Sequence, residues 1–288
     1  MKKRTKSFVA LILCTVMIMS FAAVGASAAS PISITFPSNA ASVSVYMGNE
    51  RVLKDQAAII NSVTYVSLRG FCDLVGGCTV SWNNATKTAT VVKGSTTITV
   101  TNGDVYILAN GRCLYTSEKI RIISDRICVP VRPLAKALGV EVEWNGNSRS
   151  VIITKTSAVL ASADGFYNQT DLYWLSRIIS AESRGEPLIG QIAVGNVVLN
   201  RKASKSYPNT VYGVIFDKVG GVQFSPVSYG TIYNTPAASS VIAAKICLEG
   251  YSLSDDILYF FNPRIATSSW IANNCKYEFT IGTHDFYS

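Results

Sequence analysis

Histidine is almost absent from this chain, which has only His284 among its 288 residues. Zinc amidases and zinc peptidases take two or three histidine ligands, so a conventional zinc site is excluded. Thiol and serine hydrolases need a histidine base, and His284 could serve only a thiol such as Cys275. Both residues lie near the C-terminus and the thiol is expected to be oxidised. We therefore interpret His284 as structural and expect no cofactor or metal.

Charged residues are also scarce, at 15% of the chain. Four of the 26 lysines and arginines precede the apolar run that begins at Phe8, so the remaining 22 stand against 18 acidic residues and leave a net charge of +4. A weak, scattered positive charge suits a polyanionic cell envelope and does not indicate nucleic acid.

One long apolar run is present, Phe8–Val24, between basic residues and the small-residue sequence Ala26–Ala28. This order predicts a secretory signal peptide over 1–28, with an uncleaved membrane anchor as the alternative. We expect an exported protein with no membrane span after cleavage, and its oligomeric state is left open.

Six cysteines follow the signal sequence, and an even number in an exported chain favours disulfides. The simplest expectation is pairing between neighbours in the sequence, although six cysteines allow about 15 connectivities. The expected pairs are Cys72 with Cys78, Cys113 with Cys128, and Cys247 with Cys275.

The region from about Ile34 to Lys155 contains an internal duplication of about 62 residues. Tyr65–Val92 aligns with Cys128–Thr154 after one gap near Gly77. Each copy reads as a strand, a short helix ending at glycine, a strand ending in Trp-Asn and a further strand. Hairpin signals precede the copies, at Gly48-Asn49 and Asn110-Gly111. A duplicated small α+β module over 29–156 follows.

Both copies contain an arginine and a tryptophan, Arg69 with Trp82 and Arg132 with Trp144. They are interpreted either as a sugar-binding face repeated twice or as scaffold residues, with tryptophan in the core and arginine tying loops; we favour the scaffold. The repeated V-x-hydrophobic-R, helix, G and WN pattern resembles the copper-amine-oxidase N-terminal-like domain of exported Gram-positive proteins. No copper site is expected from the resemblance, because this region lacks histidine.

A Ser/Ala-rich stretch, 157–165, is expected to be a linker. The helix that follows is organised around Glu182: Leu175, Ile178 and Ile179 form an apolar stripe that Glu182 continues. Thr170 is the expected N-cap, Gly185 the left-handed residue that ends the helix, and Pro187 the start of a second helix reaching Lys202. A third helix is expected from Thr235-Pro236 to Gly250, with Thr235 as its N-cap.

A carboxyl group on an apolar face, at the negative end of a helix dipole, is expected to have a raised pKa, as a general acid requires. The alternative is structural: Glu182 closes the helix through an ion pair with an arginine. The candidates for that pair are Arg177, Arg184 and Arg201.

Other polar and aromatic residues of the last 123 positions suit a sugar groove, in which amides bind hydroxyls and rings stack on pyranose faces. Each also suits an ordinary turn or core position. These candidate substrate contacts are Glu186, Gln223, Phe224, Ser225, Tyr259, Asn262 and Trp270.

Five motifs in order across 166–288 resemble the cell-wall hydrolase family of spore-cortex-lytic enzymes, the SleB/CwlJ type. They are AESRGEPLIGQIAVGNVVLNR from Ala181, YPNTVYGVIF from Tyr207, QFSPVSYG from Gln223, LYFFNPRIATSSWI from Leu258 and IGTHDFY from Ile281. The resemblance implies a mostly helical, lysozyme-like catalytic domain acting on peptidoglycan in the cell wall or spore envelope. The family's catalytic glutamate falls on Glu182, with Ser183 where the family motif has alanine.

The expected activity is lytic transglycosylation between N-acetylmuramic acid and N-acetylglucosamine, with one glutamate as acid and base. A hydrolytic muramidase or glucosaminidase would need a second carboxylate, for which Glu186 and Asp217 are candidates. A non-catalytic wall-binding or scaffold protein is the remaining alternative. Cortex and vegetative wall are equal expectations, because spore-cortex relatives commonly carry a different N-terminal peptidoglycan-binding repeat.

Overall fold

Short strands build most of the N-terminal lobe, which we define as residues 33–156. The computed structural model describes residues 33–288, and the expected signal peptide, 1–28, lies outside them. The strands are β1 (Ala41–Ser42), β2 (Ser44–Met47), β3 (Glu50–Val52), β4 (Ala57–Ile60), β5 (Val63–Ser67), β6 (Cys78–Asn83), β7 (Thr88–Lys93), β8 (Thr96–Thr101), β9 (Tyr106–Ala109), β10 (Arg112–Tyr115), β11 (Arg121–Ile123), β12 (Arg126–Pro130), β13 (Val140–Asn145) and β14 (Ser150–Lys155). The helices are α1 (Leu68–Val75) and α2 (Val131–Leu138).

The two hairpin signals are confirmed. Met47 pairs with Glu50 across Gly48-Asn49, and Ala109 pairs with Arg112 across Asn110-Gly111. Asn110 and Gly111 have φ of 48° and 78°, the left-handed values that such a two-residue turn requires. Sequence chemistry therefore sets the register of both hairpins.

Three sheets surround one apolar core in this lobe. Their strand orders are β1-β4-β5-β12-β11, β10-β9-β8-β7-β6 and β13-β14-β2-β3. Both helices bury their apolar sides in the core, where Phe71 and Leu134 are fully buried. An α+β lobe follows, as expected.

The element order in the two aligned stretches is the same: hairpin, helix, hairpin. The first has β4–β5, α1 and β6–β7, and the second has β11–β12, α2 and β13–β14. Strands β5 and β12 pair antiparallel with Val66 opposite Val129, which are equivalent positions of the alignment. The duplication stays a prediction, and this order is the one it requires.

The C-terminal lobe, residues 166–288, is mostly helical. Its elements follow a short helix, α3 (Ala163–Phe166), that spans the boundary. They are α4 (Gln169–Ser183), α5 (Leu188–Ala203), α6 (Val211–Phe216), α7 (Ser225–Tyr229), a 3-10 turn (Thr231–Tyr233), α8 (Ala238–Leu248), β15 (Tyr259–Phe261), α9 (Trp270–Asn274), β16 (Tyr277–Ile281) and β17 (His284–Tyr287). Helices α4, α5 and α8 pack on one another around fully buried Ile179, Val197 and Ala243.

The third helix begins later than the sequence indicates. Ala237 is the N-cap of α8 and offers no side-chain cap, so the expectation that Thr235 caps this helix is wrong. Instead, the N–H of Ala237 donates to Ser180 Oγ at 3.0 Å, which fixes the start of α8 on α4. Among residues 33–288, no helix is long and apolar enough to cross a membrane.

The expected linker, 157–165, is bound to the N-terminal lobe. Asn110 Nδ2 donates to the carbonyl of Leu160 at 3.1 Å, and the Ala163 N–H donates to the carbonyl of Asn110 at 2.9 Å. The stretch therefore joins the lobes without swinging freely, although its limits as a domain boundary stay a prediction.

Glu249, at the end of α8, bridges the two lobes. It accepts hydrogen bonds from Arg112 Nε at 2.6 Å and Nη2 at 2.7 Å, and from Lys136 at 2.9 Å. Tyr167 also donates to it at 2.9 Å. The side chains of Arg112 and Glu249 are only 5% and 4% exposed, so their charges are shielded from solvent.

The cysteines do not form the expected disulfides: all six are free thiols in the structure. Cys113 lies in the core of the C-terminal lobe, whereas Cys128 belongs to a sheet of the N-terminal lobe. Cys247 is buried beside Asn196, and Cys275 ends α9. Closeness in the sequence therefore does not predict which of these cysteines lie close together in the fold.

Cys72 and Cys78 differ from the other expected pairs, because their thiols are close enough for the ionisation of one to affect the pKa of the other. The Cys78 thiol donates to the carbonyl of Gly76 at 3.6 Å. Burial, with the Cys78 thiol as a smaller cause, raises the pKa of Cys72 to about 12. Both are therefore protonated thiols at neutral pH, and pairing of these two on oxidation stays a prediction.

The scaffold interpretation of the repeated tryptophans is wrong. Trp82 and Trp144 are each 43% exposed instead of lying in the core. Each is the last residue but one of its strand, β6 or β13.

Candidate active site

Helix α4 carries Glu182 in its last turn. Asn168 caps the helix by accepting from the N–H groups of Thr170 and Asp171, both at 3.0 Å, so Thr170 is a donor here and not the expected N-cap. The expected left-handed closure at Gly185 is also wrong, because Arg184 continues in right-handed geometry. The chain then turns directly into α5, which Pro187 opens as expected.

The apolar face of α4 places the Glu182 carboxyl group in a poorly solvated position. Leu175, Ile178 and Ile179 are completely buried on that face, and Glu182 is half-buried one turn further along. Burial raises the pKa of Glu182 to about 7. The direction is the expected one, since desolvation disfavours the charged carboxylate.

Within residues 33–288, the Glu182 carboxyl group has no hydrogen-bond or ion-pair partner. The three arginines proposed as partners act elsewhere or stay exposed. Arg177 lies 3.8 Å above the ring of Tyr173, and Arg201 donates to the carbonyl of Leu258 at 2.7 Å. The interpretation of Glu182 as an ion-pair residue is therefore wrong, and its carboxyl group is free to exchange a proton.

The carboxylate of Glu186 is held by hydrogen bonds from a neighbouring turn. Its carboxylate accepts from the Thr283 N–H at 3.0 Å and from the Thr283 hydroxyl at 2.5 Å. Although burial opposes ionisation, these hydrogen bonds and His284 together hold the pKa of Glu186 below its usual value. Glu186 thus attaches the β16–β17 turn to the start of α5 as a carboxylate.

His284 lies under that turn and is 8% exposed. Its Nδ1 is 3.8 Å from Glu186 Oε1, and its ring contacts that of Phe260 edge-on. Burial lowers the pKa of His284, which favours the neutral ring. This packing agrees with the structural role expected from the sequence.

Arg201, on the last turn of α5, organises a second cluster that the sequence did not reveal. Its guanidinium carbon lies 5.1 to 5.3 Å from the ring centres of Tyr207, Phe224 and Tyr259. The Tyr207 hydroxyl donates to that of Tyr259 at 3.0 Å. A charged residue in the last turn of a helix usually has a solvated side chain, so the sequence gives no direct sign that Arg201 is enclosed by aromatic rings. Only the spacing of the aromatic residues could have suggested it.

Gln223 and Phe224 support Arg201 instead of facing an open groove. Gln223 accepts from Arg201 at 3.3 Å and donates to the carbonyls of Val219 and Gly221. Phe224 is 3% exposed. Their neighbour Ser225 is exposed at the start of α7, so of the Gln-Phe-Ser set only its hydroxyl faces solvent.

Tyr259 and Trp270 come together at the edge of the same cluster. Their ring centres are 6.1 Å apart, and Trp270 is 56% exposed. Asn262 instead accepts from the Arg264 N–H at 3.0 Å, which makes it a turn residue. Trp270 therefore offers an accessible ring, whereas the Asn262 carbonyl oxygen is already used.

A third group of aromatic rings lies along α4 and α6. Trp174 contacts Tyr173, Tyr212, Phe216 and Tyr233 edge-on, with ring centres 4.9 to 6.2 Å apart. Tyr212 and Tyr233 are 49% and 61% exposed. This group was not anticipated, because its members are separated by up to 60 positions along the chain, from Tyr173 to Tyr233.

Asp217, the remaining candidate for a second carboxylate, accepts from the Val219 N–H at 3.0 Å. Both Asp217 and Glu186 are thus engaged by backbone donors, in contrast to Glu182. Among residues 33–288, no three His, Cys, Asp or Glu side chains cluster in a way that could hold a metal ion.

Two family models match this chain. Residues 185–287 match the Cell Wall Hydrolase family, and residues 45–153 match the copper amine oxidase N-terminal domain. Glu182 lies just before the first of these matched stretches.

The curated relatives are spore cortex-lytic enzymes. The chain is 42% identical over 120 residues to one from Bacillus cereus and 38% identical over 132 residues to one from Bacillus subtilis. These matches cover 42% and 46% of this chain. The chain spans 45% and 42% of the respective relatives, less than half of their length.

Two solved structures are similar over the same share of the chain. They are the catalytic domain of the germination-specific lytic transglycosylase SleB from Bacillus anthracis and the catalytic domain of the Bacillus cereus SleB protein. Both are 41% identical, with TM-scores of 0.39 and 0.38. The matches cover 42% of this chain in each case, and 97% and 92% of those chains.

Proposed function

The C-terminal part of this chain belongs to the cell-wall hydrolase family, and we propose that it cleaves the glycan strands of peptidoglycan with Glu182 as acid and base. One observation carries the assignment: Glu182 is a half-buried carboxyl group without a partner among the described residues, and its pKa is raised to about 7. A group with that pKa is protonated often enough to act as an acid and ionised often enough to act as a base near neutral pH.

The proposed reaction is lytic transglycosylation. Protonated Glu182 donates its proton to the oxygen that joins C1 of N-acetylmuramic acid to C4 of N-acetylglucosamine. The C1–O bond breaks, its electron pair goes to that oxygen, and the leaving sugar keeps a hydroxyl group. The Glu182 carboxylate then takes the proton of the muramyl C6 hydroxyl, whose oxygen bonds to C1 and closes a 1,6-anhydro ring. Water is not consumed, and the enzyme returns to its starting protonation state.

The engagement of the other two acidic residues favours this chemistry over hydrolysis. A hydrolase needs a second carboxylate as nucleophile or to activate water. Glu186 is occupied by Thr283, and Asp217 by the Val219 N–H. Neither residue therefore has a carboxylate free of hydrogen bonds, as Glu182 does among the described residues.

Substrate contacts are proposed at the accessible rings. Trp270 is the strongest candidate, because it is exposed and supported edge-on by Tyr259. Ser225 offers a solvent-facing hydroxyl. Glu186, Gln223, Phe224 and Asn262 keep supporting roles in this proposal, since their polar atoms are used or their rings are buried.

The names of the relatives favour spore cortex as the substrate and an extracellular location in the cell wall or spore envelope. Peptidoglycan of the vegetative cell wall is the alternative substrate. We propose the cortex first because the curated relatives described above are spore cortex-lytic enzymes.

The test is mass spectrometry of soluble fragments released from purified cortex and vegetative peptidoglycan, with Glu182→Gln beside the parent protein. Anhydro-muramyl ends that disappear in Glu182→Gln are expected. Reducing muramyl or glucosamine ends would instead establish a hydrolytic muramidase or glucosaminidase. Absence of fragments from both materials would favour a wall-binding protein without turnover.

A further inference from the structure

Two grooves on the N-terminal lobe occupy equivalent places. The first, of about 460 Å³, is lined by Arg69 and Trp82, and we call it the Trp82 groove. The second, of about 500 Å³, is lined by Arg132 and Trp144, and we call it the Trp144 groove. In each, the walls come from the start of a helix, the following strand and the hairpin before the other helix.

The equivalence extends to the opposite wall. Ile122 and Arg126 of the β11–β12 hairpin line the Trp82 groove, whereas Ile59 and Val63 of the β4–β5 hairpin line the Trp144 groove. Each pair holds corresponding positions of its hairpin, and β5 and β12 pair side by side. Each copy therefore contributes a helix start to one groove and a hairpin to the other.

Folding explains some of the shared residues and leaves others unexplained. Asn83 and Asn145 each accept two backbone N–H groups of the following turn, at 3.0 to 3.2 Å, so this asparagine is required by the hairpin. The tryptophan before it is 43% exposed in both copies. An indole with nearly half of its surface in solvent is not needed to fill a core.

The arginines also lack a structural role. Arg69 and Arg132 are exposed, and within residues 33–288 neither has a hydrogen-bond or ion-pair partner. Neighbouring exposed positions differ between the copies: Ser81 corresponds to Glu143. The arginine and tryptophan are thus the same in both copies although folding requires neither.

An exposed ring beside a free guanidinium group suits an acidic carbohydrate. The indole ring can stack on the apolar face of a pyranose. The arginine can bind a carboxylate through two parallel N–H donors. The Trp82 groove adds Lys87 and Arg126 against a single acidic residue, Asp125. It therefore carries an excess of two positive charges, which complements a polyanionic strand.

We propose that the Trp82 and Trp144 grooves are a duplicated binding site for peptidoglycan strands. Trp82 and Trp144 stack on sugar rings, and Arg69 and Arg132 bind the carboxylates that the strand carries. The choice of peptidoglycan rests on the proposed function, whereas the sites themselves do not depend on Glu182.

The Trp144 groove also touches the C-terminal lobe. Tyr251, of the catalytic lobe, lines it together with Tyr115, and the two rings are 4.0 Å apart. Its charges, Arg132 and Glu143, balance. The two grooves therefore differ: the Trp82 groove should depend more strongly on charge, and the Trp144 groove holds a strand next to the enzyme.

The test measures binding of Glu182→Gln protein to insoluble peptidoglycan, so that cleavage cannot obscure retention. Trp82→Ala and Trp144→Ala are each expected to weaken binding several-fold, and the double variant by about tenfold or more. Trp82→Phe should restore most of the loss. Leu108→Ala removes an exposed apolar side chain of the same lobe, 37% exposed and outside both grooves, and should leave binding unchanged.

A second probe separates stacking from charge. Uncharged N-acetylglucosamine oligomers should lose affinity in the tryptophan variants and not in Arg69→Gln, whereas peptidoglycan binding should fall in both. Arg69→Lys should retain part of the binding, and added salt should weaken the arginine-dependent part.

The proposal is overturned if the double tryptophan variant binds peptidoglycan like its parent, or if Leu108→Ala causes an equal loss. These results are independent of product analysis, so a failure of the catalytic assignment and a failure of the grooves give different outcomes. Circular dichroism of each variant shows that the lobe is folded before binding is compared.

Discussion

Thr283 donates both its backbone N–H and its hydroxyl to Glu186, at 3.0 and 2.5 Å. Glu182, one turn earlier in the sequence, accepts from no residue of the range 33–288. Two acidic residues four positions apart therefore have opposite environments: one is held as a carboxylate, and the other is driven toward the neutral acid. That contrast separates the catalytic candidate from the structural one.

Glu186→Gln should retain cleavage and lose stability. The amide can replace only one of the two accepted hydrogen bonds, so we expect a loss of about 1 to 3 kcal/mol in the free energy of unfolding. Urea denaturation and fragment mass spectrometry check the two parts. Thr283→Val is the matched control, because it removes the hydroxyl donor without touching a carboxylate. A loss of cleavage by several orders of magnitude in folded Glu186→Gln would contradict this role.

The stability gained from Glu186 should depend on pH. Its folded pKa lies below the ordinary value of 4.5, so the folded state binds fewer protons than the unfolded state in acid. The contribution is therefore complete above about pH 5 and is lost as the pH falls through the folded pKa. Denaturation curves of the parent and Glu186→Gln should therefore differ most above about pH 5 and converge as the pH falls below the folded pKa of Glu186.

Activity should fall as the pH rises through about 7. The proposed reaction begins with protonated Glu182, whose pKa is raised to about 7 by burial, so the active fraction should decrease about tenfold per pH unit well above that value. The measurement is the pH profile of kcat/KM with soluble glycan fragments. A profile that stays level to pH 9 would exclude Glu182 as the acid.

Removing the same carboxyl group should stabilise the protein at alkaline pH. Because the folded pKa is raised from 4.5 to about 7, the folded state binds more protons than the unfolded state between these values, and stability falls as pH rises through this window. Glu182→Gln should therefore leave the free energy of unfolding almost unchanged at pH 4. At pH 8 it should raise that free energy by about 3 kcal/mol at most. Equal stability differences at the two pH values would contradict the burial of this group.

Hairpins and helices were predictable where local chemistry decides them. The turns at Gly48-Asn49 and Asn110-Gly111 and the start of a helix after Pro187 need only a few neighbouring residues. Helix ends were less predictable: Asn168 and Thr170 are both suitable caps, and the choice depends on where the chain enters the helix.

The sequence predicts one residue of the candidate site, Glu182, but not the arrangement of the aromatic residues elsewhere in the fold. Glu182 interrupts an apolar stripe, which a sequence displays directly. The ring cluster around Arg201 joins residues up to 58 positions apart, and the 43% exposure of Trp82 and Trp144 is a property of the tertiary packing. Periodicity contains neither kind of information, which is why the prediction of both tryptophans in the core is wrong.

The connection between the lobes should depend on Glu249. Its carboxylate is 4% exposed and accepts from Arg112, Lys136 and Tyr167. Glu249→Gln would leave Arg112, itself 5% exposed, without a counter-charge, and we expect a loss of about 3 to 5 kcal/mol in the free energy of unfolding. Urea denaturation followed by circular dichroism checks this value.

Lys136→Met is the matched control for that change. Lys136 contacts the same carboxylate at 2.9 Å but is 49% exposed, so its removal should cost at most about 1 kcal/mol. The two variants each remove one charge from the same network. Lys136→Met leaves Glu249 paired with Arg112, whereas Glu249→Gln leaves the buried Arg112 without a counter-charge. Equal losses in both would mean that the shielded Arg112–Glu249 pair does not hold the lobes together, and that other contacts, such as those of Cys113 and of Tyr115 with Tyr251, carry the connection instead.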